Sequence, residues 1–250
     1  AASAGAAHWA ARAARATEHL LQFFLELFEL LLDALDAVFD DEIPGPAAVV
    51  GPPGSGKTAI VRSLFANLEG VLGRRGQAIG TTTRASTPLN VRFVVVDGRH
   101  ADSEFQAYRR ILAGLTDEPV PEGGVSTDAL HDRLVERVER HDAVLVAVDH
   151  LGETGTPDLS DLCSFFEPFS DLAWIGVGRT PPEDLSLPIP EQQVHVPAYT
   201  YELVDVLTVR GSRGLSQTLD HVHAQRLADW ADGDAHDALA ALFVAATNAE

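Results

Sequence analysis

"GPPGSGKT" occupies residues 51–58 and contains Lys57, the only lysine of a 250-residue chain. Every other strongly basic side chain is an arginine. The stretch satisfies G-x-x-x-x-G-K-[ST] through Gly51, Gly56, Lys57 and Thr58, with Pro52, Pro53, Gly54 and Ser55 between them. It stands between an apolar run, "AAVV" at 47–50, and a helical pattern, the setting in which such a loop wraps a phosphate chain. Glycines let the backbone turn its N–H groups inward, and the start of the following helix adds partial positive charge. Lys57 is expected to bridge the outer phosphates and Thr58 to offer its hydroxyl to Mg2+. An arginine's planar fork cannot replace a compact ammonium between two phosphates, which explains why one lysine is kept. At this chain's own glycine and lysine usage, a chance match is roughly one in a thousand.

Outward from the loop, strands and helices alternate. "IPGP" (Ile43–Pro46) precedes the first strand, and a helix is predicted from about Lys57 to Leu68. Residues 69–90 are rich in Gly, Thr and Arg and read as a long loop or hairpin. "VRFVVV" (Val91–Val96) is a second strand. A helix capped by Asp102 follows, with Phe105, Tyr108, Leu112 and Leu115 on one face. Another starts near Ser126, with Leu130, Leu134, Val135 and Val138 inward. "AVLVAV" (Ala143–Val148) is a continuous apolar run ending in Asp149, as a central parallel strand should be. A helix near Leu159–Phe169, a strand "LAWIGV" (Leu172–Val177) and a weaker strand "QQVHV" ending at Val196 complete the alternation. From Tyr199 the pattern is only helical. The fold class predicted is α/β: a P-loop NTPase with a five-stranded parallel sheet flanked by helices, then a small all-helical domain. The predicted division is an Ala-rich segment at 1–16, a base domain at 17–197 and a helical domain at 198–250. Asp149, at the carboxyl end of a buried strand, lies where open α/β sheets bind ligands and is expected to hold Mg2+ with Thr58.

Residues 17–41 predict a long helix with Glu18, Gln22, Glu26, Glu29, Asp33, Asp36 and Asp40 in one stripe. The remainder is mostly Leu and Phe, so most of its circumference is expected to be covered by protein. Its acids rule it out as a membrane span. The net charge of −19 is dispersed along the chain, like the surface of a halophile's protein, and argues against non-specific phosphate-backbone binding. One cysteine, Cys163, excludes an internal disulfide and favours a reducing, cytoplasmic setting. Its neighbours Leu162, Phe165 and Phe166 suggest a buried, inert thiol.

Beyond these residue-level readings, the chain resembles AAA+ ATPases, and among them the archaeal origin-recognition and cell-division-control replication initiators. The resemblance rests on "GPPGSGKT", on "VPEGGVSTDALHDRLVERVERHDAVLVAVDHL" leading into the Walker B strand, and on "WIGVGRT" at the sensor 1 strand. "VPAYTYELVDVLTVR" is similar to the family's lid entry, and "DGDAHDALAAL" to its sensor 2 helix. It implies ATP or ADP with Mg2+ as cofactors, and other AAA+ or replication proteins as partners. It also implies that the family's catalytic Glu falls on His150, its sensor 1 Asn on Arg179 and its sensor 2 Arg on His236. "EDLSLPIPEQQ" (Glu183–Gln193) has no arginine where the family carries one, and no winged helix is expected within these 250 residues.

Nucleotide binding needs the loop, Lys57, Thr58 and Asp149, whereas hydrolysis also needs a group to orient water and cations on the developing charge. The expectation is therefore a nucleotide-dependent switch with slow or absent turnover. An active ATPase is the nearest alternative. A small-molecule kinase using Arg210 and Arg213, and a structural partner without nucleotide, are the others. DNA contact, if any, is expected in the segment with Arg74, Arg75 and Arg84.

Overall fold

A computed structural model describes residues 22, 24–35, 43–75, 90–179, 190, 192–214 and 219–248, the side chains of 73–75 and 212–214 excepted. Helix α1 covers 24–34, and α2 spans Lys57–Arg75 after strand β1, Ala47–Val50. Then follow β2 (Val91–Asp97), α3 (Glu104–Leu115), α4 (Thr127–Val138), β3 (Ala143–Leu151), α5 (Leu159–Phe166), β4 (Leu172–Gly178) and β5 (Gln192–His195). Three helices close the chain: α6 (Glu202–Gly214), α7 (His221–Ala231) and α8 (Ala235–Thr247).

The five strands form one sheet in the order β2-β3-β4-β1-β5, with every pair parallel. This is the α/β class that the alternating pattern predicts. The interior strands β1 and β4 are buried at every position, and β3 at all but one, so neither face of them is left to solvent. Side chains that vanish from solvent, such as Ile111, Leu112, Leu130, Leu134 and Leu162, cover the sheet from α3, α4 and α5. Each contributes about 1.5–3 kcal/mol relative to exposure.

The chain forms two compact units. One gathers residues up to Glu29 with Gly51–Gly56 and Val196–Glu250; the other holds Leu30–Val50 and Lys57–His195, and thus the whole sheet. In the first unit, Leu203, Val204 and Leu207 of α6 meet Ala224, Ala228 and Ala231 of α7 and Ala238 and Leu242 of α8. Tyr199 joins this core, with Phe24 of α1 packed against it.

Several boundaries differ from the sequence reading. Helix α2 does not stop at Leu68: Leu64, Phe65, Leu68 and Leu72 continue one buried stripe, which outweighs Gly70 and Gly73 in its last turns. The predicted loop at 69–90 therefore begins later, and its residues 76–89 lie outside the described residues. Ser103, not Asp102, caps α3; its Oγ accepts from the Gln106 N–H, while Asp102 Oδ1 accepts from the Ser103 hydroxyl. Strand β3 runs on past Asp149 to Leu151, and α5 ends at Phe166. In α1 the acids Glu26, Glu29 and Asp33 face solvent as expected, but Leu25 and Leu30 are about half exposed, so less of its circumference is covered than the composition implied. Cys163 is only partly buried, and burial pushes its thiol up, away from reactivity.

Candidate nucleotide site

The loop between β1 and α2 is left-handed at Gly54 (φ 67°) and Gly56 (φ 89°), and not at Ser55 between them. Alternation of this kind lets successive N–H groups face one concavity that suits an anion. It also explains the glycines, since a side chain would be strained at either position. Close approach adds a second reason. A Cβ on Gly51 would lie 2.1 Å from the Val196 carbonyl oxygen, and one on Gly56 would lie 2.5 Å from the Tyr199 hydroxyl. Ser55 is fully buried. Burial raises the Tyr199 phenol above the usual range, with Glu202 adding to the shift. Pro52 and Pro53 are exposed in the loop. Lys57 and Thr58 open α2, where the helix N-terminus offers N–H groups to an anion.

Asp149 sits at the carboxyl end of β3, opposite Asp97 of β2. It is 5% exposed, a burial that a carboxylate tolerates only when partnered. Oδ1 accepts the His150 N–H at 2.9 Å. Oδ2 is buried with no hydrogen-bond partner, and His150 Nε2 lies 3.7 Å from it. A hard divalent ion is one group that satisfies such an oxygen, so Asp149 fits Mg2+.

Three positions named by resemblance are also placed. His150 lies in an irregularity where the β3–β4 register shifts between Val148 and Leu151, and its φ of 64° is unusual for a side chain with a Cβ. Its Nδ1 faces Glu153 Oε1 at 3.3 Å. Arg179, just past β4, is exposed, and its N–H donates to the Leu151 carbonyl at 3.3 Å. Thus Asp149, His150 and Arg179 gather at the carboxyl edge of the sheet. His236 is exposed in the first turn of α8, its N–H accepted by Asp234 at 2.8 Å. Most of the segment Glu183–Gln193, and Arg84, lie outside the described residues, as do the side chains of Arg74, Arg75 and Arg213.

The sequence reading missed one group at this edge. Asp97 ends β2 and accepts three bonds from Arg99: the backbone N–H at 3.0 Å, Nε at 3.0 Å and an outer guanidinium nitrogen at 2.8 Å. The Arg99 side chain holds the Asp97 carboxyl down at about 2. Gly98 between them allows the turn to rest on β3, because a Cβ there would lie 2.5 Å from the Asp149 carbonyl oxygen. The available signal was a second apolar strand ending in Asp.

A model of the AAA ATPase domain matches residues 9–172. No curated protein matches the chain. Among solved structures, the Aeropyrum pernix ORC1 protein in complex with DNA is 24% identical, with a TM-score of 0.69 over 90% of this chain and 59% of its own. Cdc6p from Pyrobaculum aerophilum is 22% identical, with a TM-score of 0.68 over 90% and 61%. The Aeropyrum pernix ORC2 protein in its ADPNP–ADP complexes is 19% identical, with a TM-score of 0.63 over 87% and 60%. The chain spans about three-fifths of the length of these solved chains, and the likeness shows that it shares their fold. With two compact units, a parallel five-stranded sheet and a glycine loop ahead of α2, the chain belongs to the AAA ATPase domain family.

Proposed function

We propose that the chain is an ATP- and ADP-binding AAA+ module of the replication-initiator type, switching conformation with nucleotide and hydrolysing it slowly or not at all. The observation that carries this reading is the pairing of an intact grip with a replaced cutting position. Gly54 and Gly56 hold the left-handed conformations an anion cradle needs, and Asp149 keeps a buried oxygen without a hydrogen-bond partner, while the residue after it is His150 rather than a glutamate. In this reading Gly51, Pro52, Pro53, Gly54, Ser55 and Gly56 wrap the phosphates and Lys57 supplies their counter-charge. Thr58 and Asp149 hold Mg2+, which offsets phosphate charge when bound. Arg179 and His236 take the sensor positions. Residues 17–197 act as the base and 198–250 as the lid. The solved ORC1 protein is a complex with DNA, and the ORC2 protein carries ADPNP and ADP; by analogy, replication proteins and DNA are the proposed partners, with Arg74, Arg75 and Arg84 the proposed DNA contacts.

One observation favours a working ATPase instead. Glu153 faces His150 Nδ1, an arrangement that orients an imidazole to accept a proton from water. Two measurements separate the readings. Titration with fluorescent ATP should show binding that Lys57→Ala abolishes; absent binding in the wild type removes the nucleotide reading. Phosphate release should be very slow and should rise in His150→Glu. Brisk wild-type turnover with no gain from that substitution establishes the working enzyme. A gel shift with and without ATP tests the DNA proposal, and no retardation in either state removes it.

A further inference from the structure

Gly54 is where the glycine loop meets α8. A Cβ added there would lie 1.9 Å from Asp234 Oδ1 and 2.9 Å from the Ala235 nitrogen. The Ala235 N–H donates to the Gly54 carbonyl at 3.2 Å. A carboxylate from the helical unit therefore occupies the place that a side chain at position 54 would take. Asp234 caps α8, and its Oδ1 accepts the N–H groups of His236 at 2.8 Å and Asp237 at 3.1 Å. Asn and Ser cap a helix about as well as Asp, so capping alone does not call for a charge here. The helix terminus returns only about half an elementary charge against the full charge of the carboxylate. Nearby titratable side chains on the same stretch are Asp232, His236 and Asp237, and α8 contains no lysine or arginine.

We infer that Asp234 sets a fixed negative charge against the phosphate loop, weakening its hold on nucleotide polyphosphate, ATP more than ADP, and speeding exchange. This rests on the reading that the loop binds nucleotide. The repulsion grows with the charge of the ligand, which is why the triphosphate is affected more. Asp234 is a positioning residue for α8 as well, and its two roles separate chemically. Asp234→Asn keeps the cap and removes the charge, whereas Asp234→Ala removes both.

The test uses the full chain with fluorescent ATP and ADP analogues, at low ionic strength and at about 1 M salt, where screening falls to about 3 Å. Asp234→Asn should bind ATP about three- to tenfold more tightly at low salt, the scale expected for a partly offset charge in a medium of intermediate dielectric. The gain should be smaller for ADP, ATP should leave more slowly, and the gain should vanish at high salt. Affinity unchanged or weakened in Asp234→Asn, with wild-type binding present and lost in Lys57→Ala, overturns the inference and leaves nucleotide binding standing. A gain that persists at 1 M salt also overturns it, since packing rather than charge would then be responsible. Absence of wild-type binding overturns both readings. Thermal melting of Asp234→Asn confirms that the cap survives, and this variant carries the test if Asp234→Ala does not fold.

Discussion

The two units bury their apolar side chains very differently. In the sheet unit, Leu, Ile and Val from α3, α4 and α5 reach zero or near-zero exposure over strands that are covered on both faces. In the helical unit, four of the buried positions on α7 and α8 are alanines, while Trp230 and Phe243 are 66% and 72% exposed. Alanine brings helices close but removes little apolar area from water, so the second unit rests on a few leucines of α6 and α8. The difference shows that apolar burial, and with it resistance to local opening, is concentrated in the sheet unit. The sheet fixes Asp149 by strand register, and the glycine loop's first residues are grouped with the less deeply packed unit.

Substitutions can break or sharpen that contrast. Ile111→Ala in the sheet unit should cost about 4 kcal/mol, a cavity in a fully packed site, measured by urea unfolding. A cost below about 1 kcal/mol would mean the sheet is covered no better than the helices. Leu207→Ala should cost about 3 kcal/mol. It should also speed amide exchange in α6, α7 and α8 while β3 and β4 stay protected; uniform loss across the chain would show one cooperative unit rather than two. Asp158 and Asp161 form a reciprocal capping box at the start of α5, each side chain accepting the other's backbone N–H at 2.9 Å. Asp158→Ala should therefore cost about 1 kcal/mol in the same assay.

A smaller effect depends on pH. Burial holds His141 below the ordinary histidine range, Arg92 pushes it the same way, and its Nδ1 is buried with no hydrogen-bond partner. The unfolded chain then binds a proton more readily than the folded one. Stability is full above the ordinary histidine pKa and is lost as pH falls through the depressed value. Melting temperature should fall through that window, and His141→Gln should flatten the fall. The smallest effect is expected at Trp230 and Phe243, where substitution by Ser should change stability by no more than about 0.5 kcal/mol. A larger loss at either would mean that this face is covered in solution.

The sequence by itself determined the class of the fold and marked the loop proposed to grip phosphate. Apolar runs of strand length alternating with helical periods leave few arrangements other than a covered parallel sheet. G-x-x-x-x-G-K-[ST] ties glycines, a lysine and a hydroxyl to one expected chemistry, phosphate and Mg2+ binding. The acid near the carboxyl end of the buried β3 run was also legible at Asp149, although the strand continues to Leu151. Only the tertiary structure decided the rest. His150 takes its left-handed backbone where the β3–β4 register shifts, and the carboxylate of Asp234 comes against Gly54 by helix approach. Such meetings depend on where separate elements come to rest, and local residue preferences carry no record of distance between elements.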